Sequence, residues 1–73
     1  DKAVELYRRA SNIGDAFAMC NLGVCYANGT GVEKDMGKAE MWLRKAIKFG
    51  LEEAKPILQK VLEKKSNAGS QSK

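Results

Sequence analysis

The chain has 73 residues and a mass of 8.0 kDa, which limits it to one small domain with a marginal core. It has no histidine, which is the commonest general base and metal ligand, so its composition disfavours catalysis and a metal site. No apolar run has the length that a membrane-spanning helix needs, which disfavours a membrane span. The net charge is +4, and residues 60–73 carry most of it because they contain four lysines and one glutamate.

Glycines and capping residues predict two helices in the first part of the chain. The first runs from about Lys2 to Ile13 and ends at Gly14, which can adopt the left-handed conformation that follows many helices. Asp15 stands where a helix N-cap belongs, and the second helix runs from there to about Asn28.

Two further helices are predicted after a loop that contains Gly29 and Gly31. Asp35 is the N-cap candidate of the third helix, which runs to about Phe49 and stops at Gly50. The fourth begins near residue 52 and ends near residue 65, with a proline at position 56 that is tolerated in or near the first turn. Residues 66–73 are small and polar and are predicted to form a flexible basic tail.

Apolar residues at spacings of three and four predict the buried face of three helices. These stripes are Ala18, Leu22, Cys25 and Tyr26 on the second helix, Ala39, Trp42, Leu43 and Ala46 on the third, and Ala54, Ile57, Leu58, Val61 and Leu62 on the fourth. Gly23 lies within the second helix, where glycine costs about 1 kcal/mol relative to alanine. We expect it to permit a close approach to the third helix at Ala39 and Ala46.

An internal repeat relates the two halves of the chain. Residues 2–10 align with residues 38–46 at an offset of 36, and the same offset pairs Gly14 with Gly50, and Ala18 with Ala54. Such a period is typical of helical-repeat proteins.

Leu22–Tyr26 reads L-G-x-x-Y and is followed at fixed spacing by a G-x-G-V loop, an aspartate, a K-A pair, a tryptophan and a closing glycine. This pattern resembles the Sel-one-like (Sel1-like) repeat, a relative of the tetratricopeptide repeat. The resemblance assigns structural signature roles to Ala18, Leu22, Gly23, Tyr26, Gly29, Gly31, Asp35, Ala39, Trp42, Ala46 and Gly50.

The resemblance implies an all-α fold in which antiparallel helix-turn-helix repeats form a right-handed α-solenoid. Residues 1–14 then correspond to the second helix of a preceding repeat, residues 15–50 to one complete repeat, and residues 51–65 to a C-terminal capping helix. We expect this chain to belong to a longer array, because three or more repeats are usually needed for stability. We expect it to be the C-terminal end of that array, because its last helix is Lys-rich and lacks the Gly and Tyr of the L-G-x-x-Y element, as suits a solenoid cap.

The function implied by the resemblance is that of a protein-interaction scaffold or adaptor, without catalysis, cofactor or metal. By analogy with tetratricopeptide repeats, the groove that binds a partner is predicted to contain Phe17, Cys20, Val24, Ala27 and Asn28. On the fourth helix the corresponding face contains Glu53, Pro56, Lys60, Glu63 and Lys64.

Two alternatives stay open. Phe17 and Val24 could pack against a neighbouring repeat or subunit, which would make the chain a structural cap or contact element. The Lys-rich C-terminal end could bind nucleic acid or another acidic surface, although Tyr26 and Trp42 occupy core positions of the motif and so do not suggest a base-stacking platform.

Cys20 and Cys25 are five residues apart, point in different directions on a helix, and lack metal-ligand spacing. Two unpaired thiols favour a reducing compartment such as the cytoplasm. In a cysteine-rich secreted branch of the family, the bridging cysteines would occupy positions 11 and 19, which here hold serine and methionine.

Overall fold

A computed structural model describes the backbone of residues 2–71 and the side chains of residues 2–66. Its four helices are α1 (Lys2–Asn12), α2 (Ala16–Asn28), α3 (Met36–Lys48) and α4 (Ala54–Gln71). The predicted all-α fold is confirmed, with successive helices packed as adjacent pairs. None of these helices combines the length and the hydropathy that crossing a membrane requires.

The end of α4 differs from the prediction. The helix continues through residues 66–71, so the prediction that it ends near Lys65 is wrong. No proline interrupts this segment, and extending an existing helix adds one hydrogen bond for each residue that is fixed. Residues 72 and 73 of the predicted tail lie outside the described residues.

The predicted N-caps are confirmed at both loops. The Asp15 carboxylate accepts a hydrogen bond from the backbone N–H of Ala18 at 3.2 Å, and the Asp35 carboxylate accepts one from Lys38 at 3.0 Å. Gly29 ends α2 with a φ of 72°, a left-handed conformation that costs other residues free energy. The loop after it is tied back to α2, because the Asp35 N–H donates to the Tyr26 carbonyl at 2.9 Å.

The core surrounds α2, which packs against all three other helices. Fully buried side chains include Met19 and Leu22 of α2 and Leu43 of α3. The predicted stripes are buried in their centres, whereas Trp42 and Ile57 are half-buried at the edge. The burial of Met19 was not predicted, because a helix with neighbours on three sides needs more than one apolar stripe.

Gly23 permits the close helix approach that the sequence predicts. A Cβ atom at this position would lie 2.7 Å from Cγ of Leu43 and 3.2 Å from the carbonyl oxygen of Ala39. Ala39 is therefore confirmed as a facing residue, and Leu43 supplies the nearest side chain on α3.

Candidate functional site

A cavity of about 260 Å³ lies in the groove between α2 and α4. Its walls are Val24, Ala27 and Asn28 from α2, and Ile57, Lys60, Val61 and Lys64 from α4. Spacings of three, four and seven residues place each of these sets on one face of its helix. The two faces meet because α2 and α4 both pack against α3, which holds them side by side. We call this feature the α2–α4 groove.

The structure places three of the five predicted groove residues in this wall: Val24, Ala27 and Asn28. Phe17 lies at the start of α2, is 67% exposed and does not line the cavity. Cys20 requires a correction, because its side chain is buried and does not reach the groove surface. Burial, and then the negative charge of Glu53, raise the pKa of its thiol.

Sequence reasoning found only part of the α4 wall. Lys60 and Lys64 line the groove as predicted, whereas Glu53, Pro56 and Glu63 do not line it. Ile57 and Val61 were assigned to the core stripe alone, yet they also form the apolar part of this wall. The spacing gave no signal for this double role, since it identifies the buried face of a helix and not its edges.

Charge is distributed unequally between the two walls. The α2 segment contains no Asp, Glu, Lys or Arg, so Lys60 and Lys64 supply the charge of the groove. Residues four apart on a helix are separated by about 6 Å along its axis and lie on one side of it. Within the described side chains, neither lysine forms a salt bridge.

Lys65, the next residue, points to the other side of α4 and is paired. Its Nζ lies 2.8 Å from Oε1 of Glu40, and Nε of Arg44 lies 2.9 Å from Oε2 of the same carboxylate. Hydrogen bonds from Lys65 and then Arg44 lower the pKa of Glu40. These three lysines of α4 therefore have separate roles: Lys65 joins α4 to α3, whereas Lys60 and Lys64 face the groove.

The aromatic residues of the motif are structural. Tyr26 is buried, and its hydroxyl oxygen accepts a hydrogen bond from the Arg8 guanidinium at 3.1 Å, which joins α1 to α2. The ammonium group of Lys45 lies 5.2 Å from the centre of the Trp42 ring, a cation–π contact on the edge of α3. Neither ring lines the α2–α4 groove.

A second exposed apolar region lies at the end of the molecule where two interhelical turns meet. Phe49 is 52% exposed, and its ring lies 3.6 Å from where a Cβ on Gly14 would be. Ile13 and Phe17, on either side of Gly14 in the sequence, are 86% and 67% exposed. On the outer face of α1 a shallower cavity of about 210 Å³ includes the exposed Leu6.

Residues that could bind a metal or attack a substrate are sparse in the described part of the chain. Among those residues no group of three or more histidines, cysteines, aspartates or glutamates is close enough to hold a metal ion. Cys20 and Cys25 are both buried free thiols.

Comparison with known proteins adds family information to this geometry. The model of the Sel1 repeat matches residues 1–15 and 16–48. An F-box protein of Arabidopsis thaliana is 45% identical over 51 residues, which cover 68% of this chain and 14% of that protein. The DAP3-binding cell death enhancer 1 of Rattus norvegicus is 34% identical over 58 residues, 80% of this chain and 11% of that protein. The chain thus spans a small part of these relatives, and no solved structure matches it.

Proposed function

Because this chain belongs to the Sel1 repeat family, we propose that it binds another protein through the α2–α4 groove and serves as a scaffold or adaptor module. Sel1 repeats commonly mediate protein interactions, and they are a non-catalytic repeat family. The observation that carries the proposal is the open cavity between α2 and α4, whose apolar walls are not covered by any described part of the chain.

The size and lining of the cavity suit a side chain of a partner protein. Its volume of about 260 Å³ lies below the roughly 300–1,000 Å³ of typical small-molecule pockets. It exceeds the roughly 150 Å³ of a dry cavity that accommodates benzene. Val24, Ala27, Ile57 and Val61 would bury apolar area against one large side chain, and Asn28 offers hydrogen-bonding groups at the rim.

A second candidate function is a structural contact within a longer array. In the described structure α1 packs against α2 alone, and Leu6 on its outer face is 62% exposed. A preceding helix pair would cover this face, as neighbouring repeats do in solenoids. The chain would then be part of a longer array, which is consistent with the much greater length of its relatives.

We further propose that the protein resides in a reducing compartment such as the cytoplasm. Cys20 and Cys25 are both unpaired and buried, so the fold uses them as small apolar residues. Disulfides are the rule in small oxidised secreted domains, which makes two free thiols more typical of a reduced environment.

Affinity capture with matched variants tests the groove. The wild-type chain would be compared with Val24→Glu, which puts a charge into the groove wall, and with Met41→Glu, which puts the same charge on an exposed part of α3. Circular dichroism would first establish that all three chains are folded. We expect proteins captured by the wild type to be retained by Met41→Glu and lost by Val24→Glu.

The other outcomes separate the alternatives. Capture that survives Val24→Glu but is lost with Leu6→Glu would transfer the binding function from the groove to the outer face of α1. Recovery of nucleic acid alone, with a steep loss of binding as salt rises, would favour the basic end of α4. Either result would contradict the proposed groove function.

A further inference from the structure

We propose that the α2–α4 groove takes an acidic segment of the partner protein, in which one large apolar side chain lies between two carboxylates. This inference rests on the proposed function and specifies the chemistry of the partner. It is carried by two lysines on one wall of the groove, which form no salt bridge with any described side chain, while the other lining residues are uncharged and, except for Asn28, apolar.

The charge of the groove has one sign. Lys60 and Lys64 line it, and none of the acidic residues that the structure describes does. Glu63, three residues after Lys60, is absent from the lining, and its carboxylate accepts a hydrogen bond from the side-chain amide of Gln59. Two cationic groups beside an apolar wall complement a segment that carries carboxylates, and they repel a basic one.

The spacing of the lysines suits an extended segment. Lys60 and Lys64 are about 6 Å apart along the axis of α4. In an extended chain, side chains two residues apart lie on one side and are about 6.6 Å apart, so two carboxylates at alternate positions match this distance. The side chain between them points to the opposite side, where Val24 and Ala27 form the apolar wall of α2.

The lining favours a peptide over nucleic acid. Single-stranded nucleic acid is held by basic grooves that also offer aromatic side chains for base stacking. No aromatic residue lines the described groove, and the aliphatic side chains there suit an apolar anchor. Nucleic acid is therefore the alternative that the experiment has to test.

Peptide selection followed by affinity measurement tests the inference. A phage-displayed library of random peptides would be selected in parallel on the immobilised wild-type chain and on Lys60→Glu/Lys64→Glu, Lys48→Glu/Lys55→Glu and Val24→Glu. The second double variant is the control, because it changes the net charge equally at two exposed lysines that do not line the groove. The best wild-type peptide would be synthesised with a fluorescent label, together with a version in which glutamine and asparagine replace its acidic residues.

We expect the wild type and the control to enrich peptides with two acidic residues at alternate positions around a large apolar one. The labelled peptide should bind Lys60→Glu/Lys64→Glu about tenfold more weakly or worse, because two attractions become repulsions. It should lose a similar factor when its carboxylates become amides. Val24→Glu should abolish binding, since it places a charge on the apolar wall.

Three results would overturn the inference, and they differ in what else they overturn. Enriched peptides without acidic residues, sensitive to Val24→Glu but not to Lys60→Glu/Lys64→Glu, would contradict the acidic partner and leave the groove function intact. Failure to enrich any peptide sensitive to Val24→Glu would contradict both proposals. Binding of a labelled oligonucleotide that depends on Lys60 and Lys64, with no acidic peptide enriched, would replace the peptide by a phosphate-bearing ligand.

Discussion

Replacing Gly23 by alanine should destabilise the chain although alanine is the better helix former. Gly23 lies within α2, where alanine would gain about 1 kcal/mol of helix propensity. The added methyl group, however, would lie 2.7 Å from Cγ of Leu43 and 3.2 Å from the Ala39 carbonyl oxygen. Leu43 is fully buried and the carbonyl belongs to the backbone of α3, so neither atom can move aside without disturbing the packing.

The size of the effect follows from these opposing contributions. Overpacking a core by one methyl group costs about 1–3 kcal/mol, and two short contacts place Gly23 at the upper end of that range. After the gain in propensity, the net loss is about 2 kcal/mol, which lowers the melting temperature of a domain of this size by about 8–16 °C. A chain of 73 residues has a total stability of about 4–11 kcal/mol, so the loss is readily measured.

Urea and thermal unfolding followed by circular dichroism would measure the loss. Gly37→Ala is the matched control, since Gly37 lies in α3 and is exposed, and its added methyl group meets only the Asp35 carboxylate at 3.3 Å. Because this single contact is with an exposed side chain that also caps α3, we expect the control to lose much less stability than Gly23→Ala does. The double variant Gly23→Ala/Leu43→Ala should be more stable than the sum of the single effects predicts, by about 1 kcal/mol, because the new methyl group fills part of the cavity left by the leucine. A Gly23→Ala chain that melts at or above the wild-type temperature would refute the close-approach argument.

Three further predictions concern single side chains. Asp35→Ala should lower the unfolding free energy by about 1 kcal/mol, because the N-cap hydrogen bond of α3 is lost, while Asp35→Asn should keep most of it; chemical denaturation distinguishes the two. Lys65→Gln removes the main cause of the lowered Glu40 pKa, so an NMR titration of that carboxyl group should show the pKa rising toward its ordinary value. Since the folded-state pKa is the lower one, the pair stabilises the fold above the ordinary glutamate pKa, and the advantage of the wild type over Lys65→Gln should vanish as the pH falls through the lowered value. Cys20, whose thiol pKa is raised by burial and then by Glu53, should react with iodoacetamide more slowly in the folded than in the urea-unfolded chain at neutral pH, and equal rates would contradict its burial.

The elements that the sequence predicts well are those fixed by local chemistry. Asp15 and Asp35 can each satisfy free N–H groups at a helix start, and both do so. Gly14 and Gly50 both follow helices and have positive φ, as their places in the motif predict. Such features depend on the few residues on either side, so the sequence around them is sufficient to identify them.

The features that escaped prediction depend on contacts between distant residues. The burial of Cys20 requires the position of the start of α4, and the Lys65–Glu40 pair joins residues 25 apart in the chain. Helical periodicity alone shows which residues share a face of one helix, but it does not show how many of those faces pack against other helices. For this reason, the sequence predicts only part of the groove face of α2, which packs against three other helices.

The repeat explains which residues determine the chemistry of the α2–α4 groove. At the offset of 36 residues, Val24 corresponds to Lys60 and Asn28 to Lys64, and all four line the cavity. The same two repeat positions therefore contribute to the groove from both α2 and α4. Position 24 is an x site of the L-G-x-x-Y element and lies between Gly23, which packs closely against α3, and the buried Cys25.

Because Val24 is only half-buried and Asn28, Lys60 and Lys64 are exposed, we expect substitutions at these two repeat positions to destabilise the fold less than substitutions in the core. In this chain α2 has a valine and an asparagine at these positions, whereas α4 has two lysines, and the groove between the two helices combines these properties. An added repeat would contribute one more pair of such positions on a further helix of the same kind. In a longer array, the residues at these two positions of each repeat would then determine the chemistry of the surface that a partner meets.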